Sequence, residues 1–149
     1  MPTYTVTALE ECLDDSKRAR IAADITRIHN ATTGAPTYFA QVIFQEVKAG
    51  RYFVGGMPLH GQQVFVHGQI RAGRTAESKH NLLTQIVESV ATASGLQRNN
   101  VWVYIVDLPA TQMAEFGHVL PEPGAEEIWA RNLPEADRAR MQSFAMDAA

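Results

Sequence analysis

The second residue of the chain is proline, directly after Met1. Methionine aminopeptidases act before small residues, proline among them, and their product carries a secondary amine at its terminus. Such an amine is a base when neutral and an acid when protonated. With Met1 attached, the Pro2 nitrogen is an amide and does neither. Arg71 and Arg74 supply a complementary feature. In Arg71-Ala-Gly-Arg-Thr75 both stand where a strand hands over to a helix, so two guanidinium groups and the helix N-terminal amides can bracket one small carboxylate. Taken singly, a strand-end arginine is ordinarily solvated and Pro2 is a common residue. His29, at the end of the first helical stretch, is favoured there by the helix dipole. Tyr104 shares a strand face with Trp102, and Glu115 falls in a loop. His60, His67, His80 and His118 have no metal-ligand spacing, and no phosphate loop or dinucleotide fingerprint is present, so neither a metal nor a cofactor is expected.

The elements that must position these residues repeat once along the chain. Thr3 to Thr7 alternates as a short strand, and Ser16 opens a helix to about Asn30, with Ala19, Ala22, Ala23, Ile25 and Ile28 on one face. Asp14, Asp15 and Ser16 are N-cap candidates. A turn at Thr33 to Pro36 leads to a second strand, Phe39 to Val47. The same order recurs with a strand at Val64 to Ile70, Thr75 as N-cap, a helix to about Ser94, Gly95 as its C′ residue and a fourth strand at Val101 to Val106. The offset from Tyr4 to Val66 is 62 residues, and that from Val42 to Val103 is 61.

This predicts an α/β (α+β) fold of two consecutive βαβ units, with parallel strands and right-handed crossovers, forming a four-stranded sheet covered by two helices. One domain spans 1–149, with pseudo-repeats at about 2–60 and 61–107. Residues 108–124 read as a surface loop, 126–132 and 134–144 as short helices, and the end from Asp147 as frayed. Two helices cover one sheet face only, so the bare face predicts a symmetric oligomer.

Composition narrows the class of function. The 149 residues are 46% hydrophobic and 19% charged, as in an ordinary globular domain. A net charge of −3 gives no general attraction to nucleic acid or to anionic membranes. No apolar run is long enough to span a bilayer, and the start resembles no signal peptide. Cys12 is the only cysteine, which fits a reduced, cytoplasmic setting.

Together these features resemble the cis-3-chloroacrylic acid dehalogenase group of the tautomerase superfamily. The resemblance runs from Pro2 to the Asn132-Leu133 region. Its most specific stretches are Ala40 to Glu46, Arg71 to Thr75, Val101 to Tyr104 and Met113 to Gly117. It implies a catalytic set of Pro2, Tyr104 and Glu115, with His29, Arg71 and Arg74 binding the substrate carboxylate, and a homotrimer of tautomerase-fold subunits. Two stretches depart from the group. Glu115-Phe-Gly-His118 stands where its dehalogenases look like Glu-Tyr-Gly-Arg, and Ala35-Pro36 replaces polar residues in the loop after His29. The activity implied is hydration of a small α,β-unsaturated carboxylate, with loss of chloride from a 3-chloro substrate to give malonate semialdehyde. An alkynoate would be hydrated likewise and, in some relatives, decarboxylated. Keto–enol tautomerism of a phenylpyruvate-like acid, and a non-catalytic binding protein on the same fold, are the other readings of the same residues.

Overall fold

The computed structural model describes residues 2–145, so the end from Asp147 lies outside the described residues. In chain order the elements are β1 (Thr3–Leu9), α1 (Asp15–Thr33), β2 (Gln41–Val47), β3 (Phe53–Val54), β4 (Met57–Pro58), β5 (Val64–Arg71), α2 (Ala76–Ser94), β6 (Val101–Leu108), β7 (Ala114–Glu115), β8 (His118–Val119), α3 (Glu126–Asn132) and α4 (Glu135–Gln142). The main sheet has the order β2-β1-β5-β6. β1 is parallel to β2 and β5 is parallel to β6, while β1 and β5 meet antiparallel in the centre. Two βαβ units therefore lie side by side, head to tail.

The caps form where the sequence places them. Asp14 accepts from the Lys17 amide at the start of α1, and Thr75 accepts from the Ser78 amide at the start of α2; such a cap contributes about 1 kcal/mol. Gly34 and Gly95 end the two helices at φ of 72° and 78°, a left-handed conformation that favours glycine. The buried stripe of α1 differs from the one expected. Ile21, Ile25, Thr26 and His29 are buried and Ala19 is exposed. The larger isoleucines bury more apolar area than the alanines, so they set which way the helix turns. The same rotation carries His29 inward.

The core lies between the sheet and the two long helices. Tyr4, Val6, Ala8, Val64, Val66 and Ile70 meet Ile21, Ile25, Leu82, Ile86 and Val90 there. The opposite sheet face carries no helix among the described residues: Ile43, Trp102, Tyr104 and Val106 are all exposed on it, and the segment from Tyr52 to Gly55 borders it, beside Phe65, Trp102 and Tyr104. A second, smaller core of Phe39, Leu120, Leu133 and Met141, with Trp129 and Phe116 packed against it, anchors the C-terminal third. Phe39 belongs to this core in a single 3-10 turn, Thr37–Phe39, so β2 begins at Gln41 rather than at Phe39. The segment expected to be a loop also holds the β7–β8 hairpin. Phe116 and Gly117 have φ of 52° and 83°, the signs of a type I′ turn, which joins strands by two residues.

Candidate active site

β1 begins at the end of the molecule where β5 and α1 finish and α2 starts. The Gln41 amide donates to the Pro2 carbonyl at 3.0 Å, so Pro2 continues the β1–β2 ladder, and it is buried. Side chains alternate along a strand, which puts Pro2 on the same side as Tyr4, facing the helices. The Tyr4 hydroxyl lies 2.7 Å from His29 Nδ1. Burial, then the charges of Arg74 and Arg71, depress the His29 imidazole to a pKa of about 3, so it is neutral at ordinary pH. Burial raises the Tyr4 phenol. The pair is therefore a neutral hydrogen-bonding unit beside two cations.

The two arginines are held differently. Arg71, at the end of β5, is 2% exposed. Its Nη1 donates to the Pro121 carbonyl and its Nη2 pairs with Glu126 at the start of α3. Its Nε has no acceptor among the described residues. Arg74 is half-buried and donates through Nη1 to the Thr33 carbonyl at 2.7 Å. Ser78 does the same for the Thr32 carbonyl, also at 2.7 Å. The start of α2 thus satisfies carbonyls that the end of α1 leaves open. Burial and the neighbouring Arg71 lower the Arg74 pKa, and Glu126 opposes them. Burial alone would raise the Glu126 carboxyl, but the Arg71 hydrogen bond and the amides of Gly124 and of Glu126 itself hold it below its usual range.

Glu115 lines a cavity of about 720 Å³, whose walls include Thr3, Tyr38, Phe39, Gln41 and Phe116. The cavity thus opens against the residue that follows Pro2. Tyr38 also lines this cavity, and burial, then the Glu126 charge, raise its phenol. The Glu115 hairpin is fixed from several sides. Trp129 Nε1 donates to the Val119 carbonyl at 2.9 Å, His118 pairs with Asp137 at 2.7 Å, and Phe116 packs edge-on to Phe39.

Five of the six residues singled out in the sequence, Pro2, His29, Arg71, Arg74 and Glu115, lie around this end of the molecule. Tyr104 does not join them within one chain. It aligns with His67 and through it with Thr5, two strand spacings or roughly 10 Å from β1. It is 56% exposed on the bare sheet face, edge-on to Phe65 at 5.0 Å. Packing in the core, the ordinary reading of a strand tyrosine, does not apply to it. Tyr4 and Glu126, the partners of His29 and Arg71, are residues that the sequence did not mark. Alternation could have flagged Tyr4 as the one polar-tipped side chain on the buried face of β1. Glu126 reads in sequence as an ordinary first-turn acid. Among the described residues no three His, Cys, Asp or Glu side chains gather as metal ligands, and no helix is long and apolar enough to cross a membrane.

Residues 1–133 match the family described as "Putative oxalocrotonate tautomerase enzyme". Among solved structures, N1, a member of the cis-3-chloroacrylic acid dehalogenase family, is 38% identical over 95% of this chain and 99% of its own, with a TM-score of 0.90. Native fused 4-OT is 26% identical over 78% of this chain and 94% of its own, with a TM-score of 0.72. A fused 4-OT that forms a symmetric trimer shares the fold at 21% identity, over 81% of this chain and 97% of its own, with a TM-score of 0.73. No curated protein matches.

Proposed function

Because the chain belongs to the tautomerase superfamily, in its cis-3-chloroacrylic acid dehalogenase group, we propose that it adds water to a small α,β-unsaturated carboxylate through the Pro2 amine, once Met1 is removed. The observation that carries this reading is the setting of that amine. A neutral His29 and two arginines stand on one side of the β1 start, and the cavity with Glu115 opens on the other.

In this reading Arg71, Arg74 and His29 receive the carboxylate and draw electron density towards it, leaving C3 electrophilic. Glu115 takes a proton from water as its oxygen bonds to C3. Protonated Pro2 delivers a proton to C2. With cis-3-chloroacrylate the resulting 3-chloro-3-hydroxy acid expels chloride and a proton, and malonate semialdehyde remains. Nearby arginines disfavour the ammonium form of Pro2 and Glu115 favours it. Tyr104, the second group for orienting water, would come from another copy of the chain. The bare sheet face that carries it is the surface a trimer would cover, and the trimeric neighbour supports that assembly.

A second reading is favoured by one observation. The cavity wall is aromatic, with Tyr38, Phe39, Phe116 and Phe144 along it, and suits the ring of a phenylpyruvate-like enol. The decisive experiment incubates protein of verified intact mass, lacking Met1, with cis-3-chloroacrylate and follows chloride. Chloride release that disappears in Pro2→Ala supports hydration. Rapid ketonisation of phenylenolpyruvate without chloride release or alkynoate hydration makes tautomerism the function.

A further inference from the structure

Arg71 and Arg74 are not equivalent halves of one carboxylate clamp, because their surroundings differ. Both terminal nitrogens of Arg71 already meet protein acceptors, the Pro121 carbonyl and the Glu126 carboxylate. Glu126 is itself fixed, because its other oxygen accepts from the Gly124 amide at 2.8 Å. The same segment rests on the turn between the arginines. Gly73, at φ 103°, leaves only 3.0 Å between an ideal Cβ and Pro123 Cγ, so a side chain there would push Pro123 away. Arg71 is thereby locked, with its charge largely cancelled by a partner at contact distance. Arg74 has a carbonyl partner, which takes a hydrogen bond but no charge, and it stays partly exposed.

We propose that Glu126 sets substrate specificity: by neutralising Arg71 it leaves one uncompensated cation, Arg74, and restricts the carboxylate end of the site to monocarboxylates. Arg71 becomes a positioning residue that ties the 121–126 segment over the site, its buried Nε left without an acceptor among the described residues. Arg74 carries the attraction for the anion. This inference rests on the reading that the arginines face the substrate carboxylate, and it adds the charge class of that substrate.

The test uses unreactive acids matched in carbon number, propionate against malonate and butyrate against succinate, titrated into the Met1-free protein at neutral pH and followed by NMR. The wild type should bind each monocarboxylate more tightly than its dicarboxylate. Glu126→Gln, which exposes a second cation, should raise the dicarboxylate-to-monocarboxylate affinity ratio roughly tenfold, the equivalent of about 1.4 kcal/mol. Glu126→Asp, which keeps the charge, should leave that ratio near the wild-type value. If Glu126 only braces the segment, Glu126→Gln weakens both acids together with the ratio unchanged, and the proposal is overturned. A wild type that prefers dicarboxylates overturns it without any variant, even if Glu126→Gln does not fold. Failure of the wild type to bind either class would instead remove the carboxylate clamp itself, and with it the proposed hydration.

Discussion

Tyr4 and His29, 25 residues apart, meet through a 2.7 Å hydrogen bond that ties the first strand to the end of the first helix. Both are buried, so the bond is sheltered from water, and removing one partner strands the other. The bond also fixes the imidazole edge that faces away from Tyr4. Tyr4→Phe should cost about 1–3 kcal/mol in urea unfolding, the range for leaving a buried polar atom unpaired. A variant as stable as the wild type would mean that the bond contributes nothing.

The same pair makes stability sensitive to acid. The His29 pKa is about 3 in the folded chain against 6.5 unfolded, so between these values the unfolded state binds the extra proton. The contribution is complete above pH 6.5 and is lost as pH falls towards 3, at up to roughly 1.4 kcal/mol per pH unit. His29→Gln cannot take up that proton, so its stability should fall less between pH 7 and pH 5 than that of the wild type. Parallel slopes for the two proteins in urea titrations would remove His29 from the account.

Gly68 shows how strand register protects this arrangement. It lies directly opposite Tyr4 across β1 and β5. An ideal Cβ on it would come within 2.6 Å of Tyr4 Cε1 and 2.8 Å of Ile105 Cδ1. Gly68→Ala should therefore displace the Tyr4 ring and destabilise the protein by about 1–3 kcal/mol, as overpacking does. Its thermal midpoint would fall, and the acid sensitivity that His29 contributes would shrink with it. An unchanged midpoint would contradict this packing.

Much of this is legible in the residues themselves. Offsets of 61 and 62 residues, polar N-cap candidates before both helices, a turn at Thr33 to Pro36 and Gly95 as a C′ residue suffice to place four strands and two long helices, because caps, turns and periodicity are written in neighbouring residues. Signals fail where distant segments meet. Nothing near Glu126 reveals a partner 55 positions away, and its place at a helix start gives it an ordinary local role. The β7–β8 strands have two residues each, too short for any alternation to be read. Tyr104 could be assigned to a strand face by alternation, but whether that face is a core or an open surface depends on how the two units pack.

Tyr104 offers a test of assembly that does not depend on size alone. If each site takes Pro2 from one copy and Tyr104 from another, Pro2→Ala and Tyr104→Phe proteins should each be impaired. Mixed trimers formed by unfolding and refolding them together should regain part of the wild-type turnover, because some sites then combine an intact Pro2 with an intact Tyr104. Light scattering should give a trimer mass throughout. No recovery in verified mixed trimers would place both groups in the same copy or remove Tyr104 from the chemistry.

Hydration and tautomerism make different demands on Glu115. Both need the Pro2 amine and a carboxylate clamp, so variants at Pro2, Arg71 or Arg74 impair both and cannot separate them. Only hydration must take a proton from water, and Glu115 lines the cavity next to Thr3 where that water would stand. Glu115→Gln keeps the shape and removes the base. Chloride release from cis-3-chloroacrylate should drop by roughly a hundredfold or more, the usual scale for losing a general base. Ketonisation of phenylenolpyruvate, in which Pro2 moves the proton by itself, should change much less. Equal losses in the two assays would mean that Glu115 acts on Pro2 rather than on water, since its negative charge favours the ammonium form. A pH profile separates that case, because removing the charge would shift the Pro2 limb of both reactions towards lower pH.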